Sequence, residues 1–392
     1  MRRAPLVAAF TVLLCSALAC AQVKAPAAEN GVGWPTYGGD SGGQRFSNAA
    51  QINRENVAQL HPVWTYHTHA LQSGFLAVSR SDFEATPILF NDTLFLSTPF
   101  DRVIALNPET GAERWTFDPQ MRKDLLASNY TSRGVAAWQS PGSGPCAARI
   151  FLATLDARLI ALDAAGGKLC ESFGNRGQVD LTRNIPTRPG APYQYFGNTS
   201  PPTIVGDVVV VGSAIADNQA VDVEPGVVRG YDVRSGRLLW TWDPLPWAAA
   251  QSPRTGAGNA WGVLAADPAH NLVFVPTGAA APDFWGGLRP GDDKDANSLV
   301  ALDARTGQKV WAFQLIHHDV WDYDVASEPL LFDFQHRIPA VAIAAKTGIL
   351  FVLNRLTGQP LWPIEERPVP RNGAPGDILS PTQPFSSLPP LN

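Results

Sequence analysis

His317, His318, Asp319, Asp322 and Asp324 fall within eight residues, HHDVWDYD, with Trp321 and Tyr323 interleaved. Three carboxylates this close repel one another unless a cation or a shared proton offsets their charge. That makes the stretch a candidate for metal-assisted chemistry or proton transfer. By itself, such a run also reads as a solvated acidic loop. What separates it from an ordinary loop is its place after a repeat whose other copies carry nothing similar. His317 reads as a turn or buried residue rather than a ligand. His67 and His69, on one side of an early strand, read as structural.

The element before the acids runs from Val300 to Trp311, VALDARTGQKVW, and reads as strand, tight turn, strand. Its aspartate can bond its own backbone, and its glycine can take positive φ. The string recurs at Val103–Trp115, Leu159–Lys168, Val228–Trp240 and Phe351–Trp362. Tryptophan follows the turn glycine by four residues in four of these five copies, and Glu171 takes its place in the other. Trp64 ends an earlier, degenerate unit. Short strands with one indole per unit, spaced about 50–70 residues apart, predict an all-β protein: a β-propeller of four-stranded blades whose tryptophans pack between neighbours. About six units are visible. The proline-rich stretch from Pro363 to Asn392 supplies no closing strand, so the chain reads as an incomplete ring, since closure is what hides edge strands.

The bulk properties fit. The 392 residues carry a formal charge of −5, 17% charged side chains, 34 glycines, 34 prolines and 12 tryptophans. Mild acidity without a basic stripe argues against a nucleic-acid partner. Met1-Arg-Arg, an apolar run to about Ala19 and the Ala19-Cys20-Ala21 site predict a signal peptide over residues 1–21 and export. Residues 22–392 then form one incomplete propeller domain. Lipidation at Cys20 is a further option, and no later segment is long enough to span a membrane. Beyond the signal only Cys146 and Cys170 remain, a pair that suits one disulfide in an exported chain, with two buried thiols as the alternative.

From about Trp34 to Pro384 the chain resembles the quinoprotein dehydrogenases that use pyrroloquinoline quinone (PQQ), nearest the membrane-bound glucose and quinate type. The resemblance is carried, in order, by TYGGDSGGQRFS, EATPI, SRGV, TLDARLIALD, TSPP, VRGYDVRSG, HHDVWDYD, KTGILFVLNRLTG and SPTQP. It implies an eight-bladed propeller oxidising a sugar or polyol hydroxyl by hydride transfer to metal-bound PQQ. The electrons would pass to a quinone or cytochrome acceptor, in the periplasm, with membrane contact through that acceptor or through lipid. A flat tricarboxylate quinone needs cations, donors and an aromatic face. The resemblance assigns Asp322 as general base, Lys346 as the cation on the quinone oxygens and Trp261 as the stacking indole. Arg133 and Glu84 fall near the cofactor carboxylates, with Thr154 and Ser200 as donors. Asp217 and Asn218 match the pair that holds the ion, calcium or magnesium, with Asp322 and Asp324 beside them. Asp324 also sits where lanthanide-using members carry an extra acid.

Two departures favour the glucose branch over the alcohol branch. Ala279 stands where alcohol-oxidising relatives supply a ligand asparagine, and Thr131 and Ser132 replace their cysteine pair. Two other readings compete with the enzyme: a propeller scaffold of the outer-membrane assembly type, and an inactive fragment. A scaffold has no need of the acid cluster together with Lys346, Trp261 and Arg133.

Overall fold

The computed structural model describes residues 33–387 except 76–77, 124, 126, 128, 187–195, 217, 219–220, 222, 247–254 and 290. The expected signal peptide with Cys20, and the expected ligand Asp217, therefore lie outside the described residues. Those described form four four-stranded antiparallel sheets, one three-stranded sheet and two two-stranded ribbons. We number the five larger sheets as blades. Blade 1 comprises Ile88–Phe90, Thr93–Ser97, Val103–Leu106 and Glu113–Phe117. Blade 2 comprises Ala136–Gln139, Ala148–Ala153, Arg158–Asp163 and Gln178–Asp180. Blade 3 holds Thr203–Val205, Val208–Val211, Val228–Asp232 and Leu238–Trp242. Blade 4 holds Ala265–Asp267, Leu272–Pro276, Ser298–Asp303 and Lys309–Gln314. Blade 5 has three strands, Leu330–Phe334, Ile338–Ala344 and Leu350–Asn354.

Strands of valine, isoleucine and alanine, such as Val208–Val211, are buried on both faces because a blade is covered by a neighbour on each side. The cores accordingly lie between blades. Phe151 and Phe173 of blade 2 cluster with Val209 and Tyr231 of blade 3, and Phe274 of blade 4 clusters with Val341 and Phe351 of blade 5.

The repeated turn explains the tryptophans. In all five copies the glycine N–H donates to the carbonyl of the Asp or Asn four residues earlier: Gly111 to Asn107, Gly167 to Asp163, Gly236 to Asp232, Gly307 to Asp303 and Gly358 to Asn354, at 2.8–2.9 Å. Each glycine has φ between 66° and 73°. The bare Cα is then roofed by the indole of the preceding unit, so that an added Cβ on Gly307 would lie 2.6 Å from Trp240. The indole N–H donates to the carbonyl three residues before that glycine: Trp64 to Pro108, Trp115 to Ala164, Trp240 to Ala304 and Trp311 to Arg355, at 2.8–3.1 Å.

The unit with Glu171 in place of tryptophan solves the same contact differently. Buried Arg149 donates to the carbonyls of Val233 and Arg234 at 2.7 and 2.8 Å, and the Gly174 N–H donates to Ser235. Cys146 and Cys170 of this blade are joined in a disulfide, as expected, with Cα atoms 5.8 Å apart.

Two expectations change. Trp64 docks on Gly111 like the others, but its segment belongs to no sheet among the described residues, so the visible units make five blades rather than about six. A lone fourth strand has no ladder to join. Trp362 likewise lies outside a strand and packs edge-on against Phe334.

The glycine-rich opening segment ties the blades together. Trp34 accepts from Leu89 of blade 1 at 2.8 Å, while Ser41 and Gly42 accept from Ala266 of blade 4 and Leu331 of blade 5, both at 2.7 Å. Its glycines leave room for a side chain from the segment before blade 5. A Cβ on Gly38 would meet Glu328 Oε1 at 2.5 Å, and one on Gly43 would meet Glu328 Cδ at 2.9 Å. Arg45 reaches the same carboxylate at 3.0 Å.

Candidate active site

In an antiparallel blade the connection entering strand one and the turn between strands two and three lie at the same end. Glu84, Arg133, Thr199 and Trp261 each sit three or four residues ahead of the first strand of blades 1 to 4. Leu155, Asn218 and Lys346 lie in the second-to-third connections of blades 2, 3 and 5. Asp322 and Asp324 lie on the connection from blade 4 to blade 5. All of these line one cavity of about 620 Å³. Three cations, Arg80, Arg133 and Lys346, face three acids, Glu84, Asp322 and Asp324, across it.

Glu84 and Arg133 pair at 2.6 Å, and Arg133 also donates to the Thr199 hydroxyl at 2.9 Å. Its guanidinium lies 5.1 Å from the centre of the Trp261 ring, and Lys346 Nζ lies 6.0 Å from it. Lys346 Nζ is 3.3 Å from Asp322 and 3.2 Å from Asp324. Burial would weaken its charge, but Asp324 and Asp322 more than offset that and raise its pKa. Burial, reinforced by the nearby Asp324 charge, pushes Asp322 up to about 6 against the pull of Lys346. Asp322 also holds φ of 55°, the left-handed region that a non-glycine residue occupies only when its surroundings hold it there.

What holds it is Asp319. This buried carboxylate accepts the N–H groups of Trp321 at 2.9 Å and Tyr323 at 2.6 Å, on either side of Asp322, and the Asn297 amide at 2.9 Å. Its oxygens are spent on the loop, which removes it as the alternative base. Burial raises its pKa.

Most of the expected site residues converge here, and the rest are placed as follows. Thr154 is fully buried below the cavity lining, with its hydroxyl bound to Asp156 at 2.5 Å and accepting from the Arg158 N–H at 2.9 Å, so it has no donor to offer a ligand. Ser200 acts indirectly, donating to the Trp261 carbonyl at 2.6 Å. Asp324, expected beside the metal, has both oxygens engaged by protein donors. His317 is bound to Gln314 and Glu366, and His318 to the Arg289 carbonyl, so neither lines this cavity. Thr199 and Thr131 were missed. Thr199 precedes its strand by the same four residues as Glu84, which is a signal the repeat itself carries.

The residues fit the chemistry of an anionic aromatic acceptor with a hard cation. An indole with two cations over its ring offers a stacking face. The Thr131 hydroxyl, buried at the cavity wall, has no hydrogen-bond partner among the described residues, so it is an unspent hydrogen-bonding group there. Asn218 and Asp322 bring oxygen donors of the kind calcium and magnesium take.

Propeller blades lined at one end by such a set suit a flat anionic ligand, and comparison with known proteins names the family. Residues 34–392 match the model of the PQQ glucose/ethanol/alcohol dehydrogenase β-propeller domain, and the chain belongs to that family. It is 38% identical to the quinoprotein glucose dehydrogenase of Escherichia coli (strain K12) over 91% of its own length and 46% of the relative's. It is 36% identical to the quinate/shikimate dehydrogenase (quinone) of Acinetobacter baylyi over 92% of itself and 47% of that protein. The crystal structure of quinohemoprotein alcohol dehydrogenase from Comamonas testosteroni superposes with a TM-score of 0.68 at 26% identity, covering 91% of this chain and 52% of that one. The chain thus spans about half the length of the curated relatives it matches.

Proposed function

We propose that this chain is the site-bearing part of an exported, PQQ-dependent dehydrogenase that oxidises a hydroxyl of a sugar or polyol. The observation that carries the reading is the convergence of Arg133, Lys346, Trp261 and Asp322 from four separate connections onto one cavity. Bound there, PQQ with its divalent ion supplies an electrophilic, Lewis-acid-activated hydride acceptor. Trp261 would offer the face, Arg133 with Arg80 would offer positive charge for carboxylates, and Lys346 would bond the quinone oxygens. Asp217, Asn218 and Asp322 would hold the ion, calcium or magnesium, with a lanthanide as the further option. Asp322 is partly exposed, opens on the cavity and pairs with Lys346 at 3.3 Å, so it can take the proton of a substrate hydroxyl as hydride leaves the adjacent carbon. The reducing equivalents would go on to a quinone or cytochrome. Periplasmic placement and membrane contact through that acceptor or a lipidated Cys20 belong to the same reading. No helix among the described residues is long and apolar enough to cross a membrane.

The test is direct. Purified chain is loaded with PQQ and calcium, magnesium or a lanthanide, and dye reduction is followed across sugars, polyols and simple alcohols. Turnover with a polyol or sugar is expected, and Asp322→Asn should lower it by about 10²–10⁴-fold while PQQ still binds. Near-normal turnover of Asp322→Asn at saturating PQQ and metal would refute the assignment of the base. Absence of PQQ binding by the unaltered chain would refute the function.

A further inference from the structure

Asp322 and Asp324 stand two residues apart with similar chemistry, but the fold treats them differently. Asp324 is 4% exposed. Its Oδ1 accepts the Ala279 N–H at 2.7 Å and is backed against Gly278, where an added Cβ would lie 2.5 Å away. Its Oδ2 accepts the indole N–H of Trp261 at 3.1 Å and the Lys346 ammonium at 3.2 Å. A carboxylate has about four lone-pair sites. Three are taken by N–H donors. An ion binding here would have to evict at least one buried donor and leave it unpaired. Asp322, by contrast, accepts from protein through its 3.3 Å contact with Lys346, lies beside the Asp324 carboxylate and opens on the cavity.

We infer that Asp324 is a positioning residue rather than a metal ligand: it sets the indole of Trp261 and the ammonium of Lys346 in register with each other before any cofactor arrives. The three donors it joins come from three connections: Trp261 from the one leading into blade 4, Ala279 from the one between strands two and three of blade 4, and Lys346 from the corresponding turn of blade 5. One carboxylate thereby fixes both the stacking face and the cation of the site. Metal selection in this chain would then not pass through Asp324. The inference rests on the quinone reading for its consequence, but not for its geometry.

The experiment compares the full chain with Asp324→Ala, Trp261→Phe and the double variant. The ligand-free arm measures the rate of amine labelling at Lys346 by mass spectrometry, with Lys309 as internal control because it pairs with Asp295 at 2.6 Å elsewhere. Labelling of Lys346 should rise at least threefold in Asp324→Ala while Lys309 stays constant, a pattern that general loosening would not give. The metal arm titrates Ca²⁺ and Tb³⁺, with affinities expected within about twofold of the unaltered chain. The cofactor arm titrates PQQ, with the dissociation constant raised tenfold or more by Asp324→Ala and the Trp261→Phe effect not adding to it. A tenfold loss of Ca²⁺ or Tb³⁺ affinity in Asp324→Ala, or unchanged labelling of Lys346, overturns the inference. If the unaltered chain fails to bind PQQ, the functional reading falls, and the labelling arm alone decides the role of Asp324.

Discussion

Replacing Gly307 with alanine tests the docking principle that builds this fold. The substitution imposes two costs that the structure allows to be separated. The first is conformational: at φ of 70° an alanine pays about 1 kcal/mol for the left-handed region. The second is steric: the new methyl would lie 2.6 Å from Trp240 Cδ2, well inside van der Waals contact, so the indole must withdraw. Withdrawal overpacks the seam between blades 3 and 4, at about 1–3 kcal/mol. It also stretches the 2.8 Å bond from Trp240 Nε1 to Ala304, which leaves a buried donor short of its partner at about 1 kcal/mol or more. Gly206 is the control, because it has φ of 59° and nothing within 4 Å of an added Cβ. Urea unfolding followed by tryptophan fluorescence should give a loss of about 1 kcal/mol for Gly206→Ala and about 3–5 kcal/mol for Gly307→Ala. If the two variants differ by less than about 0.5 kcal/mol, the indole is not held by the turn and the packing argument fails.

Three further outcomes follow from particular contacts. Burial between Gly38 and Gly43, with Asp40 nearby and Arg45 opposing, pushes Glu328 up to about 7 from 4.5, so the folded chain holds a proton that the unfolded chain has released. Its stabilising contribution is therefore full below about pH 4.5 and is lost as pH rises through about 7, by at most about 3 kcal/mol; Glu328→Gln should flatten that part of a melting-temperature profile. Reducing the Cys146–Cys170 bridge, which spans 24 residues, should cost roughly 3 kcal/mol in urea unfolding, and mass analysis without reductant should find no free thiol at either position. Arg149→Leu strips the Val233 and Arg234 carbonyls of their donor and should cost on the order of 2–4 kcal/mol, whereas Arg237→Leu at the exposed end of the same turn should be within about 0.5 kcal/mol of neutral.

The legible part of this fold is the part that repeats. Asp303 to Gly307 and its copies announce a turn by local chemistry alone, and Trp311 four residues later marks the outer strand. Which surface each indole meets was not legible, because the acceptor belongs to the next unit some 44–64 residues on. The substitute at Glu171 was hidden for a related reason: Arg149 comes from a different strand of the blade and shares no position with the missing tryptophan. Trp64 shows the opposite error, since a local signature of an outer strand forms no ladder without inner strands to pair with. Within HHDVWDYD the residue types announced an acid cluster, but not that Asp319 would spend its oxygens on Trp321 and Tyr323. Backbone donors carry no signature in sequence.

The antiparallel order of the strands also explains why a site of this composition coexists with so regular a scaffold. The docking glycines lie between strands three and four, and the site residues lie before strand one and between strands two and three. Alternation of direction puts these at opposite ends of every blade. Gly307 and Lys346 can therefore each be held to strict and unrelated requirements, one for a bare Cα under an indole, the other for a charge facing two acids. The strain at the site is correspondingly local: Asp322 keeps its left-handed backbone because Asp319, Asn297 and the Lys346 contact to the Asp322 carbonyl at 2.8 Å hold both sides of it. None of those contacts reaches a docking turn. Substitutions at Asp322 should therefore alter chemistry with little change in unfolding midpoint, while substitutions at Gly307 should do the reverse.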